Sequence, residues 1–246
     1  NEEHNKNYKG LGTIGRFRSP ERVVEEIARV KERYPLSAVS LQDDVVTLKP
    51  RGWLQKFSKL YKQEINIPFN VTTRADNLNE EDVKALSEAG LKFVWMGIET
   101  GDETAANKVF QRDLDNNTIL AGSNLLRKYG VKIIALNIMG LPVEKPFEAD
   151  MLTLDLNLKI KPALASCGLL YPFPGTRIEE YSVKTGHLDS ESRGKFLESN
   201  KHTSLLKFNS KTEKLRVENL QKLTGLIVEF PFLRSFTRFL TSLPLT

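Results

Sequence analysis

Five short apolar runs rich in β-branched residues recur along this chain, and a helix-like stretch fills every gap between them. That alternation constrains the fold more than any other feature. The runs cover 38–41, 65–71, 93–98, 132–138 and 163–170, roughly 27 to 40 residues apart. Helical patterns are expected at 20–34, 51–63, 80–89, 118–129 and 146–158. The first starts with Ser19 as cap and Pro20 in its first turn, where the fixed φ of proline helps and its missing N–H does no harm. Gly90 and Gly130 stand where a left-handed C-cap is wanted. Strands separated by helices cannot form hairpins, so the pattern predicts βα units and a parallel sheet. Five units make either part of a β/α barrel or an open doubly wound sheet. No GxGxxG follows any run, which argues against a dinucleotide fold.

In both architectures a ligand sits at the C-terminal ends of the strands. Polar residues collect there. The first run leads into Gln42, Asp43 and Asp44, and the second into Thr72-Thr73-Arg74-Ala75-Asp76. The third ends in Glu99 and Thr100, the fourth in Asn137 and Gly140–Glu144, and the fifth in "YPFPGT", 171–176. Helix capping accounts for Asp76, Asp102 and Thr176. It does not account for Glu99, which stands before the turn and not at the cap. A carboxylate accepts two hydroxyl hydrogen bonds, so this loop suits a ribose or an ammonium group better than a phosphate. Gly97 and Gly101 would let a ligand approach the backbone.

Composition narrows the field. The 246 residues are 40% hydrophobic and 27% charged, ordinary for a globular chain. The net charge of +5 is spread among acids, with no basic stripe, so nucleic acid is not indicated. No apolar run reaches the roughly 18 residues of a membrane span, and no signal-peptide pattern opens the chain. The single cysteine, Cys167, excludes an internal disulfide and suits a reducing cytoplasm. It lies in an apolar strand and is read as a core residue. His4, His187 and His202 have no metal-ligand spacing, so no metal ligand is expected. The first methionine is Met96, so the sequence is expected to have been cut or processed at its N-terminus.

Six segments, in order and at fitting distances, resemble the radical S-adenosylmethionine superfamily. They are "RFRSPERVVEEI" (16–27), "SLQDDVVTL" (40–48), "TTRADNL" (72–78), "MGIETGDE" (96–103), "IMGLPVE" (138–144) and "YPFPGT" (171–176). The branch with an N-terminal cobalamin-binding domain is the most similar, and the tail at 218–244 resembles the segment that comes after the barrel there. The resemblance implies an α/β fold, a partial (β/α)6 TIM-like barrel missing its first strand, with a helical C-terminal extension. It divides the chain into a barrel core at 1–188, a polar connecting segment at 189–214 and an amphipathic helical extension at 215–246. Packing on the barrel or on an adjoining domain suits that extension better than a membrane surface.

The same resemblance implies the site. Glu99 matches the acid that contacts the ribose of S-adenosylmethionine, with Thr100 beside it. Gln42, Asp43 and Asp44 fall where relatives contact the methionine amino group or the substrate. Arg74 and Arg112 are candidates for the methionine carboxylate, although Arg112 could instead pair with Asp113 or Asp115. Ile138, Gly140 and Leu141, with the backbone at Pro172 and Phe173, would flank the adenine. The implied cofactors are a 4Fe-4S cluster, S-adenosylmethionine and cobalamin on another domain. The implied partners are a reductant such as ferredoxin or flavodoxin and a small-molecule or peptide substrate. The implied chemistry is reductive cleavage to a 5′-deoxyadenosyl radical, as in a cobalamin-dependent methyltransferase; no catalytic residue is assigned.

Two departures stand out. Val143 replaces the second glycine of the family's Gly-Leu-Pro-Gly-Glu turn, and a β-branched residue resists positive φ. The CxxxCxxC motif is absent, and three thiolates are needed to hold the cluster. Truncation just past the cluster loop is the expected reason. The alternative is a cluster-less barrel serving as a binding or scaffolding module. An unrelated β/α-barrel enzyme finds no support in a ligand set.

Overall fold

The computed structural model describes residues 9–10, 17–194 and 203–245. Five strands form one sheet in sequence order: β1 (Val39–Leu41), β2 (Phe69–Thr73), β3 (Leu91–Glu99), β4 (Lys132–Met139) and β5 (Leu164–Leu169). Every neighbouring pair is parallel. Helix α1 (Pro20–Arg33) precedes β1, and the long helices in the four gaps are α2 (Trp53–Glu64), α3 (Glu80–Ala89), α4 (Asn116–Lys128) and α5 (Pro146–Ile160). The expected α/β architecture is therefore present.

Local chemistry fixes the boundaries. Ser19 Oγ accepts from the Arg22 amide at 3.3 Å with Pro20 opening α1. Asn79 caps α3, whose first turn carries Glu80, Glu81 and Asp82 against the positive end of the helix dipole. Gly90 closes α3 at φ +113°. The expected strand at 65–71 is shorter at its start. Ile65 still bonds back to Tyr61, Asn66 turns at φ +49° and Pro68 has no N–H to give, so pairing begins at Phe69. Helix α4 starts at Asn116, earlier than expected, because Asp115 accepts from the Thr118 amide at 2.7 Å.

The helices cover one face of the sheet. Phe69, Val71, Val94, Met96, Ile133 and Ala135 of the strands join Val24, Phe57, Tyr61, Val83 and Leu126 of α1–α4 in the main core. Residues one step along each strand point the other way. Ser40, Asn70, Thr72, Trp95, Ile134, Leu136 and Ser166 line this second face, and all are at least partly exposed. A parallel sheet is ordinarily covered on both faces. The open face is the interior of a partial barrel.

The amphipathic helical extension expected at 215–246 is not one continuous helix. A further helix that the apolar pattern did not predict, α6 (Arg177–Lys184), is capped by Thr176. Helix α7 (Lys211–Glu229) starts earlier than expected because Ser210 caps it at the Glu213 amide. It ends before Pro231, and a 3-10 segment (Pro231–Phe236) and a helical turn (Thr237–Leu240) come after it. Val217, Leu220 and Ile227 of α7 pack with Met139, Leu169, Phe147, Met151 and Leu154 in a second core. His4 and His202 lie outside the described residues.

Candidate functional site

The end of β3 answers why a buried strand closes on a carboxylate. The β3–β4 register shifts between Gly97 and Glu99, and Glu99 takes a left-handed φ of +64°. Non-glycine residues rarely adopt that conformation, and it concentrates at functional sites. Its effect is to fold the Glu99 side chain back over the strand. A Cβ added at Gly97 would lie 2.5 Å from Glu99 Oε1 and 3.5 Å from Arg112 Nη1. Gly97 therefore makes room for a side-chain pair of the protein itself.

Arg112 holds that carboxylate. Its Nη1 donates to Glu99 Oε1 at 2.8 Å and its Nη2 to the Gly97 carbonyl at 2.6 Å. The Arg112 side chain is only 10% exposed and that of Glu99 26%. Burial pushes the Glu99 carboxyl above the usual carboxylate range, with the Arg112 and Arg74 charges opposing that rise. Burial likewise lowers Arg112, countered by Glu99. Arg112 Nε is buried without a partner among the described residues.

The chain reaches Arg112 by an irregular path. Thr100 is buried, and Thr153 Oγ1 of α5 accepts from the Gly101 amide at 2.9 Å. Asp102 caps the turn Glu103–Ala105 through the Ala105 amide, and Glu103 accepts from the Asn116 amide at 2.8 Å. A π-helix (Ala106–Phe110) comes next, then Gln111 at φ +49°. Single π-turns of this kind often mark functional sites. Of the three acids of this loop, Asp102 and Glu103 accept from backbone amides and Glu99 from a side chain. Gly101 does not admit a ligand either, because Leu152 O of α5 fills the space beside it.

The other expected residues spread over the neighbouring strand ends. Arg74 forks onto Asp76 at 3.0 and 2.7 Å, and its charge is felt at Glu99. Asp76 is thus an ion-pair partner within a short 3-10 turn and not a side-chain cap. Arg112 pairs with Glu99 and not with Asp113 or Asp115, so both η nitrogens of its fork are committed. Gln42 donates to Ser40 Oγ at 2.6 Å, and Ser40 to Asn70 at 2.7 Å, across the open face. Asp43 binds Lys49 at 2.8 Å, whose ammonium sits between the Phe17 and Trp53 rings. Asp44 is exposed. These residues come after β1, two strands from Glu99 in the sheet order.

Ile138 alternates onto the open face but also packs against the cluster of Ala105, Leu170, Leu188 and Leu206 in which Leu141 is buried. Gly140 takes the positive φ of its turn, +71°, and Val143 does not need one. Pro172 is buried and Phe173 is exposed, its ring edge-on to Tyr171 at 4.8 Å. Asp150 was not among the expected residues. Its carboxyl is fully buried on α5 and accepts from the Gly140 amide at 3.1 Å through both oxygens. The available signal was an acid between Ala149 and Met151 in the otherwise largely apolar stretch "ADMLTL", 149–154.

The donor set does not fit a 4Fe-4S cluster. Cys167 is the only cysteine, and burial pushes its thiol up to about 12. No group of three His, Cys, Asp or Glu side chains able to hold a metal occurs among the described residues.

A family model described as the radical SAM superfamily matches residues 6–154. An uncharacterised methyltransferase of Pyrococcus horikoshii is 25% identical over 173 residues, 70% of this chain. The chain spans 37% of that relative's length. The cobalamin-dependent S-adenosylmethionine radical enzyme OxsB, solved with aqua-cobalamin bound, superposes with a TM-score of 0.62 at 12% identity, covering 91% of this chain and 42% of that one. Methylornithine synthase, PylB, gives 0.55 at 15% identity, covering 96% and 64%. These two likenesses concern the fold.

Proposed function

The chain belongs to the radical SAM superfamily, and from that premise we propose that its open face binds S-adenosylmethionine with Glu99 holding the ribose. The observation that carries this reading is the Glu99 side chain, folded back over Gly97 by a left-handed backbone and fixed by Arg112 at a strand's C-terminal end. A fixed carboxylate accepts both ribose hydroxyls without having to be ordered on binding. Ile138 and the Tyr171–Phe173 segment supply apolar surface for the adenine. Arg112 acts through Glu99, which its guanidinium holds in place.

In the reaction we propose for the whole enzyme, reductive cleavage of S-adenosylmethionine supplies a 5′-deoxyadenosyl radical for hydrogen abstraction. The part of this chain is to bind, orient and exclude water. The thiolates for the cluster are not among its residues. The methyltransferase reading is supported by the description of the Pyrococcus relative. Cobalamin, a ferredoxin- or flavodoxin-type reductant, a small-molecule or peptide substrate and a cytoplasmic location complete the proposal. A lone thiol and the lack of any helix long and apolar enough to cross a membrane, among the described residues, accord with that location.

Glu99→Gln is expected to weaken S-adenosylmethionine binding by about 1.5–3 kcal/mol, or roughly one to two decades, because a charge-assisted acceptor is lost. Calorimetric titration of the cluster-bearing enzyme measures it. Only the ionised carboxylate accepts both hydroxyls, so wild-type affinity should fall as pH drops through the raised Glu99 pKa, and the Gln variant should show no such fall. Unchanged affinity in a folded variant would overturn the assignment.

The single, half-buried thiol favours a second reading, a barrel that binds without a cluster. Treated anaerobically with iron and sulfide, the 246-residue chain is expected to hold no stoichiometric 4Fe-4S cluster by absorbance and iron analysis. Formation of 5′-deoxyadenosine by the whole encoded protein under reduction then separates enzyme from scaffold.

A further inference from the structure

Glu99 is the middle residue of a strained turn. The Thr100 amide donates back to the Ile98 carbonyl at 2.9 Å, and Glu99 between them stands at φ +64°. A hydrogen bond closed over a single residue of positive φ marks the rare, strained form of γ-turn. Such a backbone persists only where its surroundings over-determine it. Arg112 fixes the Glu99 side chain and, through the Gly97 carbonyl, the backbone before the turn. The backbone after the turn needs an anchor of its own.

Thr153 of α5 supplies it. This side chain is fully buried, and its hydroxyl donates its single proton to Ala149 O at 3.1 Å, one turn back in the helix. With that proton committed, its oxygen accepts from the Gly101 amide at 2.9 Å and from the Thr100 hydroxyl at 3.2 Å. The donor and both lone pairs are thus used, and both lone pairs go to the two residues that come directly after Glu99. A threonine inside a helix can satisfy its hydroxyl on its own helix, so these two further bonds tie α5 to the strand end. The Thr100 hydroxyl in turn accepts from the Asp102 amide at 3.2 Å, and Asn116 Nδ2 donates to the Gly101 carbonyl at 3.0 Å. Asp150, on the same helix, holds the Gly140 amide. One helix therefore sets the turn of the proposed ribose contact and the turn of the proposed adenine contacts relative to each other.

We propose that Thr153 is a positioning residue for Glu99, anchoring the strained turn that presents its carboxylate at the strand end. Its use in binding rests on the reading of Glu99 as the ribose acceptor, and the test separates the two. Thr153→Val keeps the β-branched shape and removes the hydroxyl, so the turn should relax and the carboxylate should leave Gly97 and Arg112. Thr153→Ser keeps the hydroxyl and should restore wild-type behaviour. Thr100→Val removes one of the two bonds and should act in the same direction, by less.

Two measurements read the effect. In the full chain carrying carbon-13-labelled glutamate, NMR titration follows the Glu99 carboxyl, identified by its loss in Glu99→Gln. Burial holds that carboxyl above the usual carboxylate range, and Thr153→Val should bring it back down towards that range. In the whole cluster-bearing enzyme, calorimetry should show S-adenosylmethionine affinity reduced about tenfold by Thr153→Val. Added to Glu99→Gln, the same change should cost little more, because both act through one carboxylate. An unmoved Glu99 titration, an equal loss of affinity from Thr153→Val alone and on the Glu99→Gln background, or failure of Thr153→Ser to restore both readouts would each overturn the proposal. A moved titration in an enzyme whose affinity ignores Glu99→Gln would uphold the anchor and overturn the ribose reading instead.

Discussion

Gly101→Ala is expected to destabilise the protein by about 3 kcal/mol, lowering the melting temperature by roughly 6–12 °C. A Cβ at this position would lie 2.4 Å from Leu152 O, 2.7 Å from Leu152 C and 2.8 Å from Thr153 Cα. All three are backbone atoms of α5, so no side chain can rotate away. Helix and strand end would have to separate, which breaks the bond from the Gly101 amide to Thr153 Oγ1. Gly97→Ala provides the contrast. Its Cβ meets the tips of Glu99 and Arg112, which can move. Stability should fall less there, through the loosened Glu99–Arg112 pair, while S-adenosylmethionine affinity drops with the displaced carboxylate. Thermal unfolding and calorimetric titration of both variants separate the two glycines. Equal melting temperatures for Gly101→Ala and wild type would show that the α5 contact is not rigid.

These two glycines also mark the limit of what could be read from residues alone. Strand and helix order was legible because apolar periodicity, caps such as Asn79 and stops such as Gly90 are local, and each pointed to the same element. Glu99 stood out because no capping role explained it. What could not be read was occupancy. Gly97 and Gly101 both suggested space for a ligand, yet one space is filled by a side chain two residues on and the other by a helix some fifty residues away. Arg112 looked free or paired to neighbours in sequence, and only the left-handed turns at Glu99 and Gln111 bring it to the strand end. The C-terminal pattern predicted an inward apolar face, and α7 has one. Past Pro231 the same aromatic content faces outward, a change of side that periodicity does not record.

Asp150 carries the other large expected effect, and its sign depends on pH. Its carboxyl is fully buried beside Met139, Phe147, Met151 and Leu154 and accepts only the Gly140 amide among its described bonds. Burial raises its pKa well above the ordinary 3.8, against the opposing pull of that amide. The native state therefore keeps a proton that the unfolded chain releases above about pH 4. Wherever the native state binds more protons, stability falls as pH rises, by up to about 1.4 kcal/mol per pH unit from one such group. Asp150→Asn keeps an acceptor for Gly140 and removes the titration. The variant should match the wild type near about pH 4 and become more stable than it as pH rises above that. Asp150→Leu removes the acceptor, strands the Gly140 amide in the core and should cost about 1–3 kcal/mol. Because Gly140 turns the chain beside the proposed adenine contacts, the Leu variant should also lose S-adenosylmethionine affinity that the Asn variant retains. Denaturant unfolding of all three proteins at several pH values measures the effect. If the Asn variant follows the wild-type pH curve, the Asp150 carboxyl is not the buried proton holder and the Gly140 turn is fixed by packing alone.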